Sequence, residues 1–241
     1  MGYVYKVREV GTFWVSRGSG CVTTWRDRAA SPDDWYAALS GPVVPIAHLA
    51  QGVFCLHASV VQIESMHVAF AAPGRTGKST IAAGLVARGN ELVSDDVTPI
   101  NGGATSPADT TMRLWADSAS HLSHDFDALE RVVSWAEKRR VRVAPENSSH
   151  KRSPDVIYIL QPDSRTAAPS AEFLIGADAG FAVLANLALA QVFSAEEQLH
   201  ATQVSFDLAS QARIRALRYR REYDRLDALL SFIERDALAL A

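Results

Sequence analysis

Ala72-Pro73-Gly74-Arg75-Thr76-Gly77-Lys78-Ser79-Thr80 is the stretch on which the reading of this chain turns. Ahead of it, Met66-His67-Val68-Ala69-Phe70-Ala71 is a compact apolar run, as expected of a buried strand. Behind it, residues 78–88 carry Ile81, Leu85 and Val86 at helical spacing, with Gly89 placed to stop the helix. Glu91-Leu92-Val93-Ser94-Asp95-Asp96 then predicts a short strand that ends in a carboxylate pair. Strand, Gly-rich loop, helix and acidic strand end, in that order, predict a nucleoside triphosphate site.

The reason is electrostatic. Backbone N–H groups of a Gly-rich turn converge on phosphate oxygens, and the following helix turns its positive end toward them. Pro73, Gly74, Arg75, Thr76, Gly77, Lys78, Ser79 and Thr80 would form the cradle. Lys78 would reach the outer phosphates, and the Ser79 hydroxyl would ligate Mg²⁺. The full pattern opens with a glycine, and here Ala72 stands in its place. Pro73 pushes the residue before it toward extended geometry, which alanine adopts without strain, and Gly74 keeps the loop flexible. The bland alternative is a strand–helix turn that binds nothing. It leaves a lysine at a helix start and an acidic pair beyond it without work.

Composition sets the frame. With 241 residues, 48% of them apolar, and a mean hydropathy of −0.01, the chain can bury a large core. It reads as one compact unit in which residues 1–52 form an N-terminal β-rich support lobe and residues 53–241 the loop-bearing domain. A net charge of −3 argues against generic binding to nucleic acid or membrane. Cys21 and Cys55 are too few for a disulfide framework, and Cys55 reads as a buried thiol. No apolar run approaches membrane-spanning length; the longest, residues 181–190, contains Asn186. The expectation is a cytoplasmic protein that uses neither nucleic acid nor membrane. Whether it forms a homo-oligomer the sequence leaves open.

Outward from the loop, residues 3–10 and 12–15 alternate well enough for a hairpin turning at Gly11, with a third strand over 20–25. Ser31-Pro32-Asp33-Asp34 is a helix start, and Gly41-Pro42 should end that helix. Residues 43–54 predict a further apolar segment, and 56–63 a strand turning at Glu64-Ser65 into 66–71. Beyond the acidic pair, 101–109 is polar and expected to be mobile, 111–115 a strand, 117–122 a short helix and 126–135 a helix. Lys138-Arg139-Arg140-Val141-Arg142 with His150-Lys151-Arg152 is a basic patch: a solvated edge strand and loop, or a cationic rim for phosphate or an acidic peptide. Residues 154–160 predict a strand, 172–175 an edge strand, 179–191 and 194–211 helices, and 223–240 a terminal helix. Residues 213–220 fit strand or helix, and Arg215 and Arg218 stand as phosphate contacts to be tested.

Leu56-His57-Ala58-Ser59 precedes the loop strand, and His57 alone fits a hydrogen-bonded core histidine. Taken with the loop and with Leu92-Val93-Ser94-Asp95-Asp96, however, the order of histidine, strand, loop, helix and tandem aspartate resembles the catalytic core of HPr kinase/phosphorylase. More narrowly it is similar to the small single-domain kinases that tailor lasso peptides. The specific match covers about fifty residues. The resemblance implies an α/β fold with a mixed sheet flanked by helices. It also implies ATP and Mg²⁺ as partners of the loop, Asp96 as general base, Asp95 and Ser79 at the metal, and His57 beside the base or the transferred phosphoryl group. The acceptor it implies is a serine hydroxyl of a peptide or protein.

Departures redirect that expectation. HPr kinases carry a separate N-terminal domain, whereas only a short lobe precedes His57, and no Glu-Ile-Arg-Gly run follows the acidic pair. A kinase acting on a precursor peptide fits better than one acting on HPr. A scaffold that binds ATP without transferring phosphate is the competing class. Independently of any resemblance, the closeness of 58–63 to 66–71 predicts a hairpin, which an all-parallel sheet would not allow.

Overall fold

A computed structural model describes residues 1–101, 104–105, 111–122, 125–133, 136–142 and 153–241. Strands β1 (Gly2–Val7), β2 (Gly11–Ser16) and β3 (Val22–Arg26) form an antiparallel meander. The first turn lies over residues 8–10, with Glu9 left-handed at φ 61°. Gly11 is already paired with Val7, so the turn falls before it and not at it. Phe13 and Val15 point to one face and pack on Val43, Ile46 and Ala50.

Helix α1 (Pro32–Ala38) starts as its sequence dictates: the Ser31 hydroxyl accepts the Asp34 N–H at 3.0 Å. Gly41-Pro42 does not end the helical path. The chain continues through a π-turn over Leu39–Val43 into α2 (Val44–Leu49). In a regular α-helix the Pro42 ring would strike the carbonyl four residues back, and the wider turn relieves that clash.

The remaining elements follow in order: β4 (Phe54–Leu56), β5 (Ala58–Ile63), β6 (Met66–Ala71), α3 (Lys78–Ala87), β7 (Glu91–Ser94), β8 (Thr98–Asn101) and β9 (Ala104–Thr105). Then come β10 (Thr111–Trp115), α4 (Ala116–His121), β11 (Glu130–Val133), β12 (Ala136–Arg142), β13 (Val156–Pro162) and β14 (Ser170–Phe173). The chain closes with α5 (Gly176–Leu184), α6 (Ala195–Gln211), β15 (Arg213–Tyr219) and α7 (Leu226–Leu238).

A six-stranded sheet in the order β14-β15-β13-β6-β5-β7 forms the centre. Strands β6, β13 and β15 run parallel, while β5, β7 and β14 pair antiparallel with their neighbours, so the sheet is mixed. The hairpin β5–β6 is where the short connection through Glu64 placed it. Helices cover both faces. Val68, Phe70 and Tyr158 face α3 and α7 through Ile81, Leu85, Leu230 and Ile233. Ala69, Ile157 and Ile159 face α5 and α6 through Val183, Ala201 and Leu208. Burial on both faces is why β6 and β13 read as continuous apolar runs and not as alternating ones.

Several expectations are corrected. The helix expected over 126–135 is absent from its described part, 126–133: a 3₁₀ turn over Phe126–Ala128 leads into β11, which pairs with β12, and residues 134–135 lie outside the described residues. Leu129, Val132 and Val133 satisfy a helical period over so few residues that strand pairing decides the outcome. The basic run of β12 is the central strand of a three-stranded sheet, β10-β12-β11, and not an edge. Residues 213–219 are a strand inside the main sheet. There Arg215 pairs with Asp236 at 3.1 Å, Arg218 stands exposed with Glu172 at 3.6 Å, and neither lines the cleft beside the loop. Helix α5 stops at Leu184, short of residue 191, before a left-handed Leu189 and a 3₁₀ turn. Before α6, Ser194 and Glu197 close the capping box their spacing predicts. Cys55 is buried, as its apolar run implies. The stretch 101–109, apart from 101 and 104–105, and residues 143–152 of the basic patch lie outside the described residues. Among the described residues no helix is long and apolar enough to cross a membrane.

Candidate active site

The loop between β6 and α3 sits at the carboxyl ends of the parallel strands, where open α/β sheets place their ligands. Its left-handed residues are Arg75 (φ 63°) and Gly77 (φ 113°). Ala72 is buried and has no positive φ, so an alanine costs nothing at a position where the motif has glycine. Gly77 serves as N-cap of α3, the one loop position where a left-handed backbone selects glycine. Inside the loop the Thr76 hydroxyl donates to the Pro73 carbonyl at 2.7 Å. From outside, the Tyr219 hydroxyl at the end of β15 donates to the Thr76 carbonyl at 2.7 Å. Pro73, Gly74 and Arg75 are exposed, whereas the Thr80 hydroxyl is engaged with Ser118 Oγ at 2.9 Å.

Lys78 is buried, and its ammonium donates to the carbonyls of Ala72 (2.9 Å) and Pro73 (3.2 Å). Its third neighbour is His57 Nε2, at 3.1 Å. Burial pulls the Lys78 ammonium down to about 8, against the opposing charges of Asp96 and Asp95. His57 lies in the break between β4 and β5, its N–H held by the Asn186 carbonyl at 2.8 Å. The same Nε2 stands 3.3 Å from Asp96 Oδ1. One imidazole nitrogen can accept from Lys78 or donate to Asp96, not both, so it is the exchange point between ammonium and carboxylate.

The acidic pair follows β7 where the chain leaves the main sheet for β8. A buried clamp, Ser94 Oγ to Thr98 Oγ1 at 2.7 Å and Thr98 Oγ1 to the Ala58 carbonyl at 3.1 Å, fixes that crossing. Asp96 is left-handed at φ 69°, a conformation aspartate tolerates. The turn sends the neighbouring carboxylates to different surroundings. Asp95 is buried, with Oδ1 accepting Ser59 Oγ at 2.6 Å and Ser79 Oγ at 3.0 Å, and Oδ2 accepting the Arg113 N–H at 3.2 Å. Burial pushes its carboxyl up, and the Asp96 charge adds to that. Asp96 faces the cleft. Burial would raise it too, but the His57 hydrogen bond and the charges of Arg113, His57 and Lys138 hold it well below the usual carboxylate range.

Sequence reasoning passed over Arg113. Its guanidinium approaches Asp96 Oδ2 at 3.5 Å and donates to the Ser40 carbonyl (3.3 Å) and hydroxyl (3.1 Å), tying the acidic pair to the π-turn after α1. On the same strand Trp115 lies under two cations, Arg75 at 4.9 Å and Lys138 at 5.3 Å. These side chains line one cleft of about 1320 Å³, walled on its far side by Tyr5, Val7 and Asp34.

Ser79 and Asp95 supply adjacent hard oxygens, the donor type Mg²⁺ takes. No group of three or more His, Cys, Asp or Glu gathers among the described residues, so a metal here would depend on ligand phosphates for the rest of its shell.

No protein-family model matches the chain, and no curated protein matches it in sequence. Among solved structures it is similar to the HPr(Ser) kinase/phosphatase from Coxiella burnetii, over 77% of this chain and 97% of that one, at 13% identity and a TM-score of 0.37. Identity and overlap at that level transfer no residue roles.

Proposed function

We propose that this chain is an ATP-dependent kinase that moves the γ-phosphoryl group to a serine hydroxyl of a peptide. The observation that carries the reading is His57 Nε2, which lies 3.1 Å from the Lys78 ammonium and 3.3 Å from the Asp96 carboxylate. A phosphate-seeking cation and a free base thus share one contact. Phosphoryl transfer demands mainly positioning and charge neutralisation, and this set supplies both.

The loop N–H groups and Lys78 would hold the phosphates, and Ser79 with Asp95 would hold Mg²⁺, whose charge would offset that of the transferring group. The acceptor oxygen attacks the γ-phosphorus, and the bond to the ADP oxygen breaks. The serine proton passes to Asp96, leaving phosphoserine and ADP. A depressed carboxyl remains ionised throughout the working pH range. Weak basicity is tolerable because the proton leaves late in a loose transition state. Arg113 and His57 orient Asp96. For the acceptor, the sequence resemblance favours a precursor peptide of the lasso type.

The test is incubation with labelled ATP, Mg²⁺ and the short peptide encoded beside the gene, read by mass spectrometry as one added phosphate on serine. Lys78→Ala should abolish turnover. Asp96→Asn should bind ATP as the wild type does and lose transfer. Wild-type transfer by Asp96→Asn removes Asp96 as base, and tight ATP binding with no phosphorylated product supports the scaffold class instead.

A further inference from the structure

A second cavity, of about 230 Å³, opens behind the start of α3. We infer that it seats the purine base of the nucleotide whose phosphates the loop holds, an inference that rests on the phosphate-loop reading above. Three observations lead there.

The cavity adjoins the main cleft: Gly77, Thr80, Asp117 and Arg221 line both. A ligand lying on the loop therefore has this cavity at its side. Secondly, the direction is right. A lysine at this loop position reaches the outer phosphates, so the nucleoside end must leave on the flank away from Lys78 and the acidic pair. His57, Lys78, Ser79, Asp95 and Asp96 all lie outside the lining of this cavity, which takes only Gly77 from the loop and Thr80 and Ile81 from α3. Thirdly, strand order builds its far wall. Strand β15 lies beyond β13 from β6, and all three point their carboxyl ends to the same edge. The chain leaving β15 bends back over that edge, and Tyr219 anchors it to the Thr76 carbonyl at 2.7 Å.

The walls suit a flat heteroaromatic ring. Ile81, Leu226 and Leu229 are buried apolar side chains that can pack on its face. Tyr223 is held rigid, stacked on His121 at 4.7 Å between centroids and hydrogen-bonded to Ser118 Oγ at 3.0 Å. Asp117 and Glu222 are among the lining residues, Glu222 paired with Arg220 at 2.9 Å, and an exocyclic amino group could donate to the Asp117 carboxylate. The volume falls below the ~300–1,000 Å³ of drug-sized pockets, as suits one ring system and not a whole nucleotide.

The experiment compares Mg-ATP with Mg-tripolyphosphate, which has the phosphates and no base, by titration calorimetry. The wild type should bind ATP at least about tenfold tighter than tripolyphosphate. Leu226→Trp, which fills the cavity, should lose that advantage and leave tripolyphosphate affinity unchanged. An advantage that survives Leu226→Trp overturns the base site. Should neither ligand bind the wild type, the phosphate-loop reading fails and the base site with it. Because Leu226→Trp is a core change, 2-azido-ATP photolabelling of the wild-type chain is run beside it. Label on Ile81 or within 219–229, competed by ATP, supports the site. Label confined to any other peptide, with tripolyphosphate still binding, overturns the base site alone.

Discussion

Replacing Arg113 by methionine removes the cation that joins the acidic pair to the N-terminal lobe while keeping an apolar stem of similar length. The side chain is only 14% exposed, so solvent cannot take over its role freely. Its contacts are long: 3.5 Å to Asp96 Oδ2, 3.3 Å to the Ser40 carbonyl and 3.1 Å to the Ser40 hydroxyl. Hydrogen bonds from charged donors contribute about 1.5–3 kcal/mol when well formed, and these distances put each of these below that range. The Ser40 pair together is worth about 1.5 kcal/mol. The Asp96 contact, half-exposed and near the distance limit, adds about 0.5–1 kcal/mol. The sum, roughly 2 kcal/mol, shifts the melting temperature of a chain this size by about 4–8 °C.

Thermal unfolding followed by circular dichroism measures that shift. Ser40→Ala removes only the hydroxyl partner and should cost about 1 kcal/mol. Adding it to Arg113→Met should then cost almost nothing more, because the partner is already gone. Arg113→Lys keeps the charge and loses the fork, and should fall between wild type and methionine. If Arg113→Met melts within about 1 °C of the wild type, the bridge between lobe and acidic pair contributes nothing and its positioning role is refuted.

Other changes probe the scaffold around the site. Tyr219→Phe deletes the hydroxyl that holds the Thr76 carbonyl at 2.7 Å and should lower stability by about 1 kcal/mol in urea unfolding; an unchanged midpoint means the loop is held without it. At Gly180, on α5, an added Cβ would meet three ring atoms of Phe206 on α6 at 2.6–2.7 Å. Gly180→Ala should therefore destabilise by about 1–2 kcal/mol despite its better helix propensity, and a more stable variant contradicts that packing. Glu197 is pushed up by burial, but the hydrogen bonds from Tyr3 and from Ser194 and the Arg17 charge more than offset this and set its carboxyl below the ordinary value of 4.5. Its contribution is present above that value and lost as pH falls through the lowered one. Glu197→Gln should thus flatten the loss of stability between about pH 5 and pH 3, and parallel wild-type and variant curves would contradict it.

What the sequence displays of this candidate site is its contiguous part. The loop, the helix it caps and the acidic strand end are neighbours along the chain, so spacing alone locates them. Arg113 is supplied by pairing across the chain instead: it lies opposite Arg140 in the β10–β12 ladder. Alternation within 111–115 does show Thr111, Arg113 and Trp115 sharing the face opposite buried Met112 and Leu114. No local signal says that this face looks onto the loop. Lys138 was visible only as one charge in a basic run, and Tyr219 only as the end of an ambiguous segment. Residues 126–135 misled for the opposite reason. Three apolar side chains over so short a span fit two periods, and the choice between them was made by β12, a partner no window on that segment contains.

Asp95 and Asp96 show why adjacent residues of one type need not share a role. Their carboxyls are displaced in opposite directions, Asp95 upward and Asp96 downward. The backbone causes this. A left-handed residue at Asp96 turns the chain so that Asp95 points under the sheet edge, into the hydroxyls of Ser59 and Ser79, while Asp96 turns outward to His57 and Arg113. A carboxylate enclosed by hydroxyls has no room to receive a substrate proton, but it sits beside the serine oxygen that a cation would share. The other carboxylate stands at the cleft wall and is kept ionised by the neighbouring imidazole and guanidinium. Exchanging the two roles would require the φ of Asp96 to change sign, and that turn is tied at both ends by the Ser94–Thr98 clamp and the Arg113 N–H. The difference in their surroundings is therefore a property of the turn and not of the side chains, which are chemically the same.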